Sequence, residues 1–254
     1  SRDASIGELV DYVDANIAKL PAELATQMVL LLEKAQKEYL PELEEEYYAE
    51  DVQSDFAAGY VKGMDPNDLH LVSDGKRKEL LVKTKAGGFR VETAEGMFWP
   101  VIDYEMYKKY SLLVSDDLSA YISIMAAESS QAPAKDAALV IGWNEIVRRV
   151  LAQEEFMRKY PDSQKLPEIK ELFDRYVAFA FYGANNTPLF DYTAHSFNKD
   201  ARIVFARVVE ANRESDFAQA MGRFLTVAEE NGFRLTEAVE AQREALVREL
   251  TNPN

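Results

Sequence analysis

Acidic and aromatic side chains are interleaved between residues 92 and 107, and their chemistry suits the recognition of a sugar or a peptide. Aromatic rings offer flat apolar faces to a ligand, while carboxylates accept its hydrogen bonds. The candidate ligand-binding residues of this segment are Glu92, Glu95, Trp99, Asp103 and Tyr104. Two carboxylates at a suitable separation would also serve glycoside hydrolysis. The structural alternative is that the aromatic residues join a sheet to the helices while the acids face solvent.

A second group of candidates follows a loop, residues 182–188, that is rich in amides and hydroxyls. Loops on rigid scaffolds often carry binding groups, so Asn185 and Asn186 are candidates for ligand binding. Asp191 and His195 are four residues apart, and on a helix they would share one face. That spacing would let the carboxylate orient the imidazole or join it in holding a metal. A helix-to-helix connector with Asx turns requires the same residue types and is the simpler interpretation.

The residue types that support familiar catalytic chemistry are scarce. The chain has no cysteine, which excludes disulfides, thiolate metal sites and cysteine nucleophiles, and its only histidines are His70 and His195. No nucleophile elbow, zinc-binding H-E-x-x-H motif or phosphate loop is present. A calcium-loop opening at Asp65-x-Asn67 fails because the sixth position is His70 and the twelfth is Lys76. The sequence therefore predicts no metal and no cofactor, and it favours a protein that is not an enzyme.

The charge balance limits the class of partner. The chain has 44 acidic and 29 basic residues, a formal net charge of −15, so its surface repels phosphate backbones and nucleic acid is not an expected partner. The densest acidic run extends from Glu42 to Asp55. A solvated helix end explains this run best, and a site for cations or basic partners is the alternative. No stretch approaches the roughly 20 apolar residues that a membrane span requires.

Helical periodicity dominates both ends of the chain. Residues 1–64 show apolar residues at helical spacing, beginning with a capping box at Ser5–Glu8, and Pro41 is expected to kink or end the second helix. Residues 104–254 form a predicted helical body, in which residues 177–181 are apolar all round and should be buried. Its last helix, residues 236–250, carries an apolar stripe along one face.

Turn residues and period-two alternation appear between these helical regions. Short strands are predicted at 69–73, 79–84, 89–93 and 97–102, with a hairpin turn at Asp74–Gly75. Together they suggest an antiparallel β-meander over about residues 69–102, inserted at 65–103 after the third helix. No repeat or flexible linker divides the chain, so the sequence predicts a mainly α fold and one domain spanning residues 1–254.

Three functions compete on this evidence. The preferred hypothesis is a non-enzymatic binding or interaction module for a protein, peptide or glycan partner. The alternatives are a carboxylate-dependent hydrolase acting on glycans or peptides, and a helical scaffold or regulatory subunit that uses its last helix. The expected location is exported or at the cell surface, because a chain starting at Ser1 without Met fits a processed precursor, including a lipid-anchored one. The cytoplasm is the alternative location.

Overall fold

The computed structural model describes residues 5–61, 63–71 and 75–252, and over these residues the protein is mainly α-helical, as the sequence predicts. Internal contacts divide the chain into two compact units, which we call the N-terminal unit (Ser1–Ser130) and the C-terminal unit (Gln131–Asn254). This boundary differs from residues 64 and 104, where the sequence changes in character. The organisation of the whole chain as one domain stays a prediction.

The N-terminal unit combines α-helices with a two-stranded antiparallel sheet. Its α-helices are α1 (Ile6–Asn16), α2 (Ala22–Tyr48), α3 (Glu50–Gly59), α4 (Lys76–Ala86) and α5 (Asp116–Ser130). The strands β1 (Phe89–Ala94) and β2 (Met97–Ile102) form a hairpin, and short 3-10 helices lie at Ile17–Lys19, Leu69–Leu71 and Tyr104–Tyr110. The capping box at the start of α1 is confirmed, because the Ser5 and Glu8 side chains each accept a hydrogen bond from the other residue's backbone.

The sheet is smaller than the predicted meander and follows the fourth helix rather than the third. Residues 69–71 form a 3-10 turn instead of a strand, and residues 72–74 of the predicted strand and hairpin turn lie outside the described residues. The strand expected at 79–84 belongs to α4, so that prediction is corrected. Leu80, Leu81 and Thr84 are buried at helical spacing, and α4 packs on β1 and α3. Lysine-rich sequence also has good helix propensity, which the turn residues on either side concealed.

Of the two effects expected of Pro41, a kink or an end of the helix, the end does not occur, because α2 continues through Pro41 to Tyr48. A proline inside a helix removes one backbone hydrogen bond and crowds the preceding turn. Pro41 is exposed, so water can satisfy the carbonyl that loses its partner. Leu43 and Tyr47 beyond it are fully buried, and their packing holds the last turns in the helix.

A buried carboxylate lies in the core of the N-terminal unit. Glu33 on α2 is only 3% exposed, and its Oε1 accepts hydrogen bonds of 2.6 Å from the hydroxyls of both Tyr104 and Tyr121. The Lys37 Nζ lies 3.0 Å from the same oxygen. A charge removed from water is tolerated only when it is paired and hydrogen-bonded. This cluster therefore fixes α2 against α5 and the 3-10 helix that carries Tyr104.

The same polar layer extends along α2 and to α1. Gln36 is fully buried, accepts a hydrogen bond from the Tyr107 hydroxyl and donates one of 2.7 Å to the Gly87 carbonyl. The Tyr110 hydroxyl donates to Asp14 on α1 at 2.6 Å. Successive tyrosines of one 3-10 helix therefore each contact a different partner, which positions that helix in three places.

The C-terminal unit is a group of packed helices with short hairpins in its connections. Its helices are α6 (Trp143–Lys159), α7 (Leu166–Tyr182), α8 (Lys199–Ala211), α9 (Asp216–Glu230) and α10 (Glu237–Thr251). The hairpins pair β3 (Ala134–Lys135) with β4 (Ala138–Leu139), and β5 (Gly183–Ala184) with β6 (Thr187–Pro188). The predicted burial of residues 177–181 is confirmed for Val177, Ala180 and Phe181, which have no exposed surface, whereas Ala178 and Phe179 are half-buried.

The last helix packs inside its own unit. Val239 and Leu246 of α10 are buried, and α10 contacts α7 and α9. Arg243 lies between them, with its guanidinium 4.3 Å from the ring centre of Tyr182 and 5.6 Å from that of Phe190. The stripe that was expected to bind a partner in the scaffold hypothesis therefore packs against neighbouring helices of the same unit. No helix among the described residues is long and apolar enough to cross a membrane.

One buried amide in the C-terminal unit makes no hydrogen bond. Gln153 on α6 is fully buried, and neither its Oε1 nor its Nε2 has a partner among the described residues. An amide taken from water without a compensating hydrogen bond costs about 1–3 kcal/mol by protein mutational data. We therefore expect Gln153→Met, which keeps the length of the side chain, to raise the free energy of unfolding by about 1–3 kcal/mol in urea titrations.

The matched control for this change is Gln164→Met on the surface of the same unit. Gln164 is exposed, so its substitution should change the unfolding free energy by no more than about 0.5 kcal/mol. A loss of stability in Gln153→Met, with Gln164→Met unchanged, would show that the Gln153 amide is satisfied in solution.

Candidate functional site

The β-hairpin brings two of the predicted site residues together. Strands β1 and β2 pair in register so that Glu92 lies directly opposite Trp99, and cross-strand neighbours share one face of the sheet. Phe98, whose side chain faces the other side, has no exposed surface, whereas Glu92 and Trp99 are half-buried. Glu95 and Gly96 form the turn with positive φ angles of 51° and 80°, so Glu95 lies at the tip of the hairpin, outside the paired strands.

Side-chain amides cover both edges of this hairpin. Gln53 on α3 accepts a hydrogen bond of 3.0 Å from the Phe98 backbone N–H and donates one of 2.7 Å to the Phe98 carbonyl. On the other edge, Asn67 accepts from the Val91 N–H at 2.6 Å and donates to the Val91 carbonyl at 2.8 Å. Each amide takes the place of a further strand, which satisfies backbone groups that an edge would otherwise expose. The hairpin is therefore fixed to α3 and to the 65–68 turn.

The outer face of the hairpin also carries a positive charge. The Arg90 Nε lies 3.7 Å from the Glu92 Oε1 and makes no hydrogen bond within the described chain. Hydrogen bonds from Lys108 and Ser130 outweigh the effect of burial and hold the pKa of Glu105 below its usual value, with a smaller contribution from the Arg90 charge. Arg90 thus lies in a negative environment. The face that Glu92 and Trp99 share combines an aromatic ring with both signs of charge.

The other two predicted residues of this segment have structural contacts. Asp103 accepts a hydrogen bond of 3.1 Å from the Glu105 backbone N–H and so caps the 3-10 helix that follows. Tyr104 is 5% exposed and donates its hydroxyl to Glu33 in the core. Glu92, Glu95 and Asp103 therefore occupy a strand face, a turn tip and a helix cap, and these three carboxylates do not face one another across a cleft.

A small pocket opens where the hairpin meets α3, α4 and the 65–68 turn. We call it the aromatic–acidic pocket; its volume of about 20 Å³ holds little more than one water molecule while Arg77 lies beside Phe56. The residues around it are Phe56, Gly59, Tyr60, Met64, Asp65, Pro66, Asp68, Arg77 and Phe98. Sequence reasoning missed this set. Phe56 near the end of α3 and Tyr60 just after that end, four residues apart, were the available signal for two neighbouring aromatic rings.

Three aromatic rings of the pocket are in contact. The Phe98 ring centre lies 5.1 Å from that of Phe56 and 5.3 Å from that of Tyr60. The guanidinium of Arg77 lies 5.7 Å from the Phe56 ring centre, within the range of a cation–π contact. Arg77 Nη1 also donates a hydrogen bond of 3.0 Å to the Asp55 carbonyl. The pocket therefore already holds one cation of the protein itself against an aromatic wall.

Two carboxylates complete the pocket. Asp65 Oδ1 accepts hydrogen bonds of 2.9 Å from both the backbone N–H and the side chain of Asn67, and Asp68 Oδ1 accepts one from the His70 N–H. Burial acts to raise the pKa of Asp65, but the Asn67 hydrogen bonds outweigh it and hold that pKa below its usual value. Asp65 is therefore ionised at neutral pH. His70 contributes its backbone here, and its imidazole is exposed.

The predicted residues of the C-terminal unit lie in two separate turns. Asn186 is in the β5–β6 turn and bonds the β3–β4 turn, donating its backbone N–H to the Ala137 carbonyl at 2.8 Å and its side chain to the Asp136 carbonyl at 2.9 Å. Asn185, in the same turn, is exposed. Asn186 thus joins the two turns. This structural role is the simpler of the two interpretations of the loop, the other being ligand binding.

Asp191 and His195 lie in a turn rather than on a helix, so their four-residue spacing does not place them on one helical face. Asp191 closes an Asx turn by accepting hydrogen bonds from the Thr193 and Ala194 N–H groups, and these bonds lower its pKa. His195 has a positive φ of 50° and donates its N–H to the Asp191 carbonyl. Both side chains are exposed. The described residues contain no group of three or more His, Asp and Glu side chains that could hold a metal ion.

A wider groove lies in the C-terminal unit between α6 and the α8–α9 connection. Its volume is about 620 Å³, and its surface carries charges of both signs, including Glu155, Arg158, Arg213 and Glu214. Glu154 on its floor is already occupied, because it accepts a hydrogen bond of 2.8 Å from the Phe217 N–H at the start of α9. The groove has room for a ligand, but among the described residues no aromatic ring lines it to select one.

Comparison with known proteins identified no relative of this chain. No protein-family model matches the sequence, and neither a curated protein nor a solved structure is significantly similar to it.

Proposed function

We propose that this protein is a non-enzymatic binding module and that its N-terminal unit binds a cationic side chain of a partner at the aromatic–acidic pocket. The observation that carries the proposal is the composition of the pocket, in which Phe56, Tyr60 and Phe98 lie beside two carboxylates. Aromatic faces and carboxylates both attract cations, and together they form the kind of site that recognises ammonium and guanidinium groups.

The charge of the N-terminal unit supports the same class of partner. This unit contains 25 acidic residues against 13 basic ones, whereas the C-terminal unit contains 19 against 16. A negative surface draws basic partners towards it and raises the rate of association. Part of the acidic run on α2 and α3 is neutralised internally, since Glu46 pairs with Lys83 and Asp51 lies 3.8 Å from Lys76. The pocket carboxylates Asp65 and Asp68 form no ion pair within the described residues.

The two alternative functions have less support. A hydrolase requires two carboxylates on opposite sides of a bound substrate, and the candidate acids lie in three different settings. A scaffold that binds through its last helix would have to expose Val239 and Leu246 of α10, which are buried. Binding of a glycan partner at the hairpin face that Glu92 and Trp99 share stays a prediction from the sequence.

The location that we propose for this module is outside the cytoplasm or in the cell envelope. The absence of cysteine fits such a location, because an oxidising compartment cannot cross-link the chain. Cell fractionation of the full-length protein tests this part of the proposal. Recovery in the soluble cytoplasmic fraction alone would contradict it.

The binding proposal is tested by titrating the isotope-labelled chain with three eight-residue peptides that alternate glycine with lysine, arginine or glutamine. We expect the two cationic peptides to shift the backbone NMR signals of Phe98, Asp65 and Asp68, and the glutamine peptide to leave them unchanged. The double variant Asp65→Asn/Asp68→Asn keeps the hydrogen-bond acceptors of both turns but removes both charges. Its affinity should fall at least about tenfold, because charge-assisted hydrogen bonds contribute most of the attraction.

The matched control is Glu42→Gln/Glu45→Gln, which removes two charges from exposed positions of α2 in the same unit. Exposed charges are screened by salt, so we expect this variant to weaken binding by no more than about twofold at 0.15 M salt. Equal losses in the two double variants would show that the attraction is diffuse. The absence of any shift with either cationic peptide at millimolar concentration would overturn the proposed function.

A further inference from the structure

The guanidinium of Arg77 occupies a defined place in the aromatic–acidic pocket. It lies over Phe56 and donates Nη1 to the Asp55 carbonyl, near the carboxyl end of α3. The carbonyl end of a helix carries partial negative charge, which favours a cation at this position. Gly59, one turn after Asp55, provides the space, because a Cβ atom at this residue would overlap the guanidinium. We call this place, bounded by Asp55, Phe56 and Gly59, the guanidinium seat.

Arg77 uses only a small part of the bonding capacity of its guanidinium. The group has five N–H donors in a planar fork, and it makes one hydrogen bond, to a neutral carbonyl. No carboxylate lies within ion-pair distance of Arg77 in the described part of the chain. Asp65 and Asp68 border the same pocket, and each uses one carboxylate oxygen for its own turn. Arg77 therefore does not use the Asp65 and Asp68 carboxylates, which are the strongest hydrogen-bond acceptors of the pocket. They remain available to another cation.

From these contacts we infer that the ligand of the pocket is a guanidinium group, such as the arginine side chain of a partner, and that it takes the seat by displacing Arg77. This inference rests on the proposed function and makes it more specific. An incoming guanidinium keeps the contact with Phe56 and the Asp55 carbonyl. Because it enters from outside, it also forms charge-assisted hydrogen bonds with Asp65 and Asp68, which Arg77 does not form. Arg77 then acts as an internal competitor that lowers the affinity of the pocket.

The test uses the full chain and ethylguanidinium as a small probe, with the arginine, lysine and glutamine peptides in parallel. Removal of the competitor by Arg77→Ala should tighten the binding of ethylguanidinium and of the arginine peptide at least about tenfold. The arginine peptide should gain more than the lysine peptide, because the seat fits a planar fork. In the unaltered protein, the Arg77 Nε–H signal should shift as the arginine peptide binds.

Two controls separate the seat from a simple change of charge. Lys85→Ala removes a positive charge that also acts on Asp65 but leaves the seat occupied, so we expect a gain of no more than about threefold. Gly59→Ala combined with Arg77→Ala fills the seat with a methyl group and should cancel the gain of Arg77→Ala. If Arg77→Ala folds poorly, Arg77→Lys serves instead, because a lysine ammonium cannot form the same fork, and a smaller gain in affinity is expected.

The outcomes distinguish the two proposals. If the cationic peptides bind the unaltered protein but Arg77→Ala binds no more tightly than Lys85→Ala, the inference is overturned and the proposed function stands. If no peptide binds any form but ethylguanidinium binds Arg77→Ala tenfold better than the unaltered protein, the seat is supported and the proposed function is overturned. Retention of the gain in the Gly59→Ala/Arg77→Ala variant would also overturn the inference.

Discussion

Above pH 10, the N-terminal unit should lose stability steeply, because four of its tyrosines are held neutral in the folded state. Burial is the largest cause, and it raises the pKa of Tyr47, Tyr104, Tyr107 and Tyr110 well above the ordinary tyrosine value. The negative charge of Glu33 adds to the increase for Tyr104 and Tyr107, and a hydrogen bond to the Asp14 carboxylate adds to it for Tyr110.

The sign of the effect follows from the protons bound by each state. In the unfolded chain these tyrosines ionise near pH 10, whereas in the folded unit they keep their protons to higher pH. Between the two pKa values the unfolded state binds fewer protons, so the free energy of unfolding falls as pH rises. The stabilisation is complete below pH 10 and decreases above it. The decrease is about 1.4 kcal/mol per pH unit for each tyrosine, so four of them remove an amount comparable to a typical total stability within about two units.

The measurement is the unfolding free energy from urea titrations at several pH values between 9 and 11.5, followed by tyrosinate absorbance and circular dichroism. Tyr104→Phe should make the fall with pH shallower by about 1.4 kcal/mol per unit, because one buried proton no longer contributes. Tyr12→Phe is the matched control, since Tyr12 is 61% exposed and its substitution should leave the slope unchanged. Equal slopes in the two variants would contradict this account.

The substitution Glu33→Leu should destabilise the N-terminal unit by about 3–5 kcal/mol. The loss comes from the partners that remain, because the buried hydroxyls of Tyr104 and Tyr121 keep no carboxylate to accept their hydrogen bonds. Removing both hydroxyls as well, in Glu33→Leu/Tyr104→Phe/Tyr121→Phe, should restore most of the stability, since replacing all partners by apolar groups leaves little unsatisfied. Lys37 is 42% exposed and can turn to solvent in either variant.

The two tryptophans allow this effect to be assigned to one unit. Trp99 lies in the N-terminal unit and Trp143 in the C-terminal unit, so Trp99 fluorescence in a Trp143→Phe background reports urea unfolding of the N-terminal unit. Glu38→Leu is the control on α2, because Glu38 is exposed and lies 3.8 Å from Lys34, and its loss should cost less than about 0.5 kcal/mol. A triple variant as unstable as Glu33→Leu would show that the carboxylate contributes more than the satisfaction of two hydroxyls.

Features set by neighbouring residues were accessible from the sequence alone. The capping box of α1, the burial of the end of α7 and the alternation of β1 and β2 each depend on residues within a few positions of one another. The mainly α class follows from the same local periodicity. Composition alone indicated that an acidic chain without cysteine and with two histidines has few groups for familiar catalysis.

Pairings between distant residues were decided by the tertiary structure. The hydrogen bond from Tyr104 to Glu33 joins residues 71 positions apart, and the one from Arg77 to Asp55 joins residues 22 positions apart. Packing on β1 and α3 made α4 a helix where turn residues suggested a strand, and of the two interpretations of the loop before α8 the fold selected the Asx turn at Asp191. The periodicity of a segment indicates which face it buries but not which element covers that face. The sequence therefore determined the types of side chain available, and only the fold decided that aromatic rings of α3 and β2, the Asp65 and Asp68 carboxylates and the Arg77 guanidinium line one pocket.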